Sequence, residues 1–361
     1  MVKRAALLFL TLGLAPAVPA YPGNGTDAVP YMKVDAGARA AGMGGAFAAV
    51  ADDASAIFHN PAGLAFAERK EIMLSHAEWL QGIRNEYLSY VHTTGTDWAF
   101  GGGASMLFSG AMTRYDRDGL TTGSYTENEG FVTLGAAHAL GEYFSFGLAG
   151  KIVYQKADSE NATAYAADAG LLYHGDYWRF ALAMENVGSR LRLYREEFRL
   201  PEGYKAAAAW RALDSAWVTA QVTHRPVGGV SAAVGAEYQL AVHDEDTVAA
   251  RAGYMSGPGS EAGSGFALGL GLANSDLKFD YAFTPFGALG NVHRFTFSAR
   301  FGADKETLRM RAARGNPYKR YIPRENTWRE QKKQLEQQPK KKAPVKKAPA
   351  KKERRSGSFT W

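Results

Sequence analysis

The chain has 361 residues, a net charge of +6, 46% hydrophobic residues, 40 Gly, 18 Tyr, 19 Phe and no Cys. The lack of Cys excludes disulfides, thiolate metal sites and a cysteine nucleophile. The basic charge is local: residues 303–361 hold 19 of the 42 Lys+Arg but 6 of the 36 Asp+Glu, and Lys3 and Arg4 add two more, so residues 21–302 carry −9 and do not read as a nucleic-acid-binding domain.

Residues 1–20 read as a secretory signal. Lys3 and Arg4 precede the apolar run Ala5–Leu14, and Pro16–Ala20 ends in small residues suited to cleavage. The run is too short for a bilayer-spanning helix, which needs about 20 apolar residues, and no later stretch is long enough. An exported chain of this kind is a secreted soluble protein or a membrane β-barrel.

Residues 21–69 do not alternate in polarity. Gly42, Gly44 and Gly45 fit neither GxGxxG nor GxxxxGK[ST], so they do not mark a nucleotide site. Asp52–Asp53 reads as the cap of a short helix, Ala54–His59. Asn60–Pro61 ends it, because the residue before proline avoids helical geometry. Gly63 then turns the chain. The outcome is a compact small-residue plug suited to a barrel mouth.

From residue 70 to 302 the chain alternates with period two, and Gly, Asp, Asn or Pro separate the stretches. Candidate strands cover 70–79, 82–94, 97–112, 124–140, 143–158, 162–174, 176–188, 202–213, 215–226, 229–241, 246–257, 264–274, 276–285 and 291–301. That is fourteen, an even number, as single-chain outer-membrane barrels have. Longer connections are expected at Thr113–Gly123 and Gly188–Pro201, with smaller ones at Gln155–Thr163 and Ser256–Gly263. One face is large and apolar (Trp178, Phe180, Leu182, Met184; Phe266, Leu268, Leu270, Leu272). The other is small, with scattered charges. A soluble sandwich also alternates, but small Gly/Ala faces suit a narrow lumen, and the aromatics near strand ends resemble interfacial girdles. The fold class is therefore an all-β, antiparallel transmembrane barrel with a small N-terminal plug and a disordered basic tail.

On this parity Lys151, Arg179, Glu185, Lys278 and Asp280 face the lumen and are expected to pair with one another. A Lys or Arg facing lipid costs about 2–4 kcal/mol at the midplane. The eight His form no HExxH or close ligand pair, and no GxSxG elbow occurs. Neither a metal site, a cofactor site nor a catalytic centre is read, although a lumen can assemble a triad from distant strands. Asp116–Asp118 and Asp244–Asp246 read as solvated acidic turns rather than Ca²⁺ loops.

Residues 303–361 lose the alternation. Thr307–Arg314 and Glu325–Gln338 read as short polar helices, and the Lys/Ala/Pro run after them cannot bury enough apolar surface to fold. With an even strand count both barrel termini face the periplasm, which places the tail there, either solvated or docked on an anionic partner.

The combination of GMGGAF at Gly42–Phe47, DDASA at Asp52–Ala56 and NPAGLA at Asn60–Ala65 before a barrel resembles the PorV/PorQ family, within the FadL-like outer-membrane proteins. The resemblance implies a 14-stranded barrel with an internal hatch, and Asn60, Pro61 and Gly63 in structural or gating roles. It implies two alternative activities. One is type IX-like protein secretion, through contacts with secretion-system proteins or cargo. The other is a FadL-like channel that moves hydrophobic small molecules through a lateral opening. The basic tail departs from the family pattern.

Overall fold

A computed structural model of the chain describes residues 27–243, 246–256 and 265–314. The signal, the helix read at 325–338, the Lys/Ala/Pro run and most of the 256–263 connection lie outside them.

Fourteen antiparallel strands close on themselves. They are β1 Lys70–Glu78, β2 Arg84–Thr93, β3 Trp98–Tyr115, β4 Thr121–Leu140, β5 Phe144–Ala157, β6 Glu160–His174 and β7 Trp178–Gly188. A small hairpin of β8 Leu191–Leu193 and β9 Glu196–Phe198 follows. The barrel resumes with β10 Gly203–Leu213, β11 Ala216–Arg225, β12 Gly229–His243, β13 Asp246–Ser256, β14 Phe266–Ala273, β15 Leu277–Pro285 and β16 Asn291–Phe301. β1 pairs with β16 from Lys70↔Phe301 to Glu78↔His293 and closes the wall. A closed wall leaves no unpaired edge, the condition for strands to cross lipid.

Burial inverts that of a soluble sandwich. The outward face carries Leu134 at 70%, Leu148 at 60% and Leu270 at 59% exposure, while Arg251 and Asp280 are 4% and 1% exposed inside. Such a surface is stable against hydrocarbon, not against water.

Short connections gather at one end, for instance Gly141–Tyr143 and Asp214–Ser215; this is the turn end. The other, the loop end, carries Ser189–Glu202, which holds β8–β9 and buries Leu191 and Leu200 under the plug. Two expected loops are corrected. β3 and β4 stay paired through Thr113–Gly123 as far as Tyr115↔Thr121, so only Asp116–Leu120 turn. The Asp116 carboxylate accepts from Asp118 N and Leu120 N at 3.0 and 2.8 Å, closing that turn itself. Across Gln155–Thr163, Ala157 pairs Glu160, which leaves a two-residue turn. Both stretches are polar on both faces, as loops are, because they belong to hairpins that run on past the apolar band.

Residues 27–69 fill the lumen. They comprise a one-turn 3₁₀ helix Pro30–Lys33, α1 Ala38–Gly42, α2 Ala56–His59 and a 3₁₀ helix Pro61–Phe66. Phe47, Met32, Met43, Ile57 and Leu64 are fully buried there. The helix after Asp52–Asp53 starts at Ala56, two residues later than expected. Asp53 Oδ1 accepts from Ser55 N at 3.0 Å and from Ser55 Oγ at 2.5 Å. Asp52 does not cap; it faces two arginines instead. Gly63 is not a turn residue either. It lies inside the 3₁₀ helix, where a Cβ would come within 1.9 Å of Ala51 O.

After the barrel, α3 Lys305–Arg314 begins two residues before the expected helix, capped by Asp304 Oδ1 on Thr307 N at 2.7 Å. Lys305 N donates to Glu68 O and Arg309 pairs with Asp97, so the first turns of the tail are an ordered helix against the turn end.

Candidate functional site

The plug divides the lumen. A cavity of about 470 Å³ lies on its loop-end side, lined by Met32, Phe58, Trp79, Met255 and Phe286 together with Lys205, Arg225 and Arg294. A second cavity of about 300 Å³ lies on the turn-end side and is polar, with Arg39, Asp52, Asp53, Glu71, Lys278 and Asp280 on its wall.

Close approach between plug and wall explains the small lumen face. On β13, a Cβ at Gly253 would sit 2.1 Å from Met43 C and 2.2 Å from Gly44 N. On β6, a Cβ at Gly170 would sit 1.9 Å from Asn60 Oδ1. Gly42 and Gly44 lie against Gly269 and Tyr254, while Gly45 adjoins Asp35 on the plug itself. Asn60 is the staple. Its Nδ2 donates to Ala48 O at 3.2 Å and to Leu171 O at 3.3 Å, and its Oδ1 accepts from Ala62 N at 3.1 Å. Pro61 opens the next helical turn, where its missing N–H is not needed.

An ion network ties plug to wall. Arg39 of α1 binds Glu237 of β12 in fork geometry, Nε–Oε2 and Nη2–Oε1 both at 2.9 Å, and reaches Asp52 at 2.7 Å and Asp53 at 3.1 Å. Arg251 of β13 joins Glu237 at 2.6 Å and Asp280 at 2.8 Å. Arg179 meets Asp52 at 3.1 Å while stacking over Trp217. Lys278 lies 3.3 Å from Asp280 and 3.8 Å from Asp53. Burial pushes the Asp52 carboxyl up, but Arg39 and then Arg179 outweigh it and hold Asp52 well below the usual carboxylate range. For Asp53, Lys278 and Arg39 overcome burial in the same way. Burial pushes His59 down, against the opposing pull of Asp35 at 4.0 Å, and a ring nitrogen meets Ala36 O at 3.0 Å.

The five lumen residues read from the sequence all face inward, but only Lys278 and Asp280 pair with each other. Lys151 pairs with Asp168 at 2.6 Å and donates to Asn186 at 2.8 Å. Glu185 takes Lys205 at 2.5 Å and Arg225 at 2.7 Å. Sequence reasoning missed Arg39, Asp168, Lys205, Arg225, Glu237 and Arg251. Strand parity was the available signal for the wall residues: Glu237 and Arg251 face each other in register. Among the described residues, no three His, Asp or Glu side chains gather as a metal ligand set.

A third concavity, about 960 Å³, lies on the outer wall of β1–β5 and β15–β16. Lipid-facing Leu74, Leu88 and Met106 line it together with lumen-facing Tyr87, Ser105 and Phe131.

The fold has solved counterparts. The Pseudomonas putida toluene transporter TodX aligns over 74% of this chain and 98% of its own, at TM-score 0.52 and 13% identity. The Ralstonia pickettii toluene transporter TbuX aligns over 74% and 98%, at 0.54 and 12%. A Pseudomonas aeruginosa FadL homologue aligns over 79% and 99%, at 0.50 and 13%. The fold is FadL-like. At these identities the likeness speaks for architecture alone. Residues 22–170 match the model of an uncharacterised protein family, UPF0164. No curated protein matches the sequence.

Proposed function

We propose that the protein is a gated outer-membrane channel for hydrophobic small molecules, with residues 27–69 as its hatch. The observation that carries this reading is the loop-end cavity. Its volume of about 470 Å³ and largely apolar wall suit a small ligand, and the plug forms its floor. The solved relatives named as toluene transporters are consistent with this reading.

In this reading the loop end faces outward and the turn end faces the periplasm, as the short turns of outer-membrane barrels do. The basic tail then enters the periplasm, where an anionic partner is its expected contact. Gly42, Gly44, Asn60 and Pro61 serve the gate by letting the hatch seat against the wall, and Gly45 and Gly63 by letting the hatch fold on itself. The ion network around Arg39 serves as its latch. Its charges are paired with one another rather than aimed at a reacting atom, and we propose no enzymatic role. The secretion reading retains the motif at residues 42–65 as its support, and the cavities add nothing to it.

A brominated alkane titrated into the folded protein tests this. Entry into the cavity quenches Trp79, and the quench is smaller in Trp79→Phe. A quench that the substitution leaves unchanged counts against the cavity as a ligand site.

A further inference from the structure

The C-terminal helix touches the hatch as well as the wall. Lys305, the first residue of α3, holds the segment that joins hatch to barrel at two points. Its Nζ donates to Ala65 O at 2.5 Å, a carbonyl left over at the end of the 3₁₀ helix Pro61–Phe66, and its N donates to Glu68 O at 2.8 Å. Between those two carbonyls lie Phe66 and Ala67, which with Glu68 line the turn-end cavity. Farther along, α3 lies against the turn between β2 and β3. A Cβ at Gly95 would come within 2.9 Å of Leu308 O, and Arg309 pairs with Asp97. One lysine thus seats the helix on the hatch exit, and one ion pair seats it on the wall. Asp97 is more than half exposed, and a surface pair of that kind contributes little.

The chain that follows is strongly basic. Residues 315–361 hold 15 Lys+Arg and 4 Asp+Glu, and nine of those cations fall in residues 339–355, where Val345 is the only apolar residue beyond Ala and Pro. A run without an apolar face has nothing to insert between lipids, which disfavours a membrane surface as its target. Repeated cations suit a partner that repeats its anions. The block starts at Lys340, 26 residues past Arg314, a reach of at most about 90 Å, so it can meet a polymer that stands off the membrane.

We propose that α3 is a bolt on the hatch exit, and that an anionic polymer network of the periplasm, bound by the basic tail, draws it. Lys305 and Arg309 are the first two cations of the same basic run. A polyanion that engages the run competes for them with one carbonyl and one exposed carboxylate, and many weak contacts made together outweigh those two. With α3 withdrawn, residues 65–68 lose both clamps and the turn-end cavity opens to the periplasm. The proposal rests on the hatch reading above, with the turn end in the periplasm, and adds a partner and a control.

Peptidoglycan sacculi, whose stem peptides carry carboxylates, are the probe. Ala67→Cys is introduced into the full chain, which has no other thiol, and the protein is folded in nanodiscs of zwitterionic lipid. Sacculi are expected to pellet the discs at low salt and to speed maleimide labelling of the thiol about tenfold or more. Replacing the seven lysines of 340–352 by Gln abolishes both effects. Lys305→Gln labels faster without sacculi and gains little more from them. Each variant is first shown to keep the gel shift between unheated and boiled samples that marks a folded barrel. Sacculi that pellet the discs without changing the rate, or an unchanged rate in Lys305→Gln, overturn the bolt. No pelleting, or the same acceleration from vesicles of phosphatidylglycerol, overturns the polymer as partner. In either case the hatch reading stands if the parent thiol, without sacculi, reacts far more slowly than in the urea-unfolded chain. A parent thiol that reacts at the unfolded rate overturns both.

Discussion

Replacing Arg39 by Met is expected to unlatch the hatch without unfolding the barrel. Arg39 makes four charge-assisted hydrogen bonds, of which the two to Glu237 join hatch to wall and the two to Asp52 and Asp53 stay within the hatch. Each such bond contributes about 1.5–3 kcal/mol. Two effects offset the loss. The methionine side chain carries no charge to desolvate, and Glu237 keeps Arg251 at 2.6 Å while Asp52 keeps Arg179 at 3.1 Å, so no carboxylate is stranded. The net weakening of hatch docking is then about 2–3 kcal/mol, a roughly 30- to 150-fold rise in the undocked fraction. The chain has no Cys, so a single Val50→Cys reports on the hatch alone; Val50 is 2% exposed. Maleimide labelling of that thiol should accelerate by the same factor in Arg39→Met, and by less in Arg39→Lys, which keeps the charge but loses the fork. A labelling rate within twofold of the parent, in protein that still shows the barrel's heat shift, would refute the latch.

Asn60→Ala removes a cap and orphans the bonds to Ala48 O and Leu171 O, so the same labelling rate should rise by about 30-fold, for a loss of about 2 kcal/mol. Acidification should loosen the hatch through His59. Its seated value lies below the ordinary one, so its contribution is complete above about pH 6.5 and falls as pH drops below that, whereas Asp52 and Asp53 hold until pH passes below about 4. Labelling should therefore be faster at pH 5.5 than at pH 7.5, and His59→Gln should flatten the difference. Leu148→Arg on the lipid face should cost about 2–4 kcal/mol in urea unfolding if the site lies near midplane, against a much smaller loss for Leu148→Ala. Equal losses would contradict the assignment of the outward face.

The barrel was legible because lipid imposes a strict rule on one face. Phe266, Leu268, Leu270 and Leu272 alternate with Gly and Ala at every step, and all four are more than half exposed on the outer wall. The rule lapses where hairpins leave the apolar band, which is why the paired residues at 113–115 and 121–123 read as loop. The latch was illegible for a different reason. Arg39 sits among alanines, and its partner Glu237 lies 198 positions along the chain, so neither residue carries a local signal. The lumen charges read from parity were placed inside, but their partners depend on register and on the hatch, which composition does not encode. Gly63 looked like a turn because glycine often makes one, and its actual constraint is the Ala51 carbonyl from another part of the hatch.

The central claim is that a hatch-gated barrel passes hydrophobic molecules across the outer membrane. Its most direct test is the initial uptake rate of radiolabelled 1-decanol by Gram-negative cells that carry the protein in their outer membrane, compared with cells that lack it and with cells that carry Arg39→Met. The account predicts faster uptake with the wild type and faster still with the unlatched variant. Uptake equal in all three, with the barrel folded in the outer membrane, would contradict it.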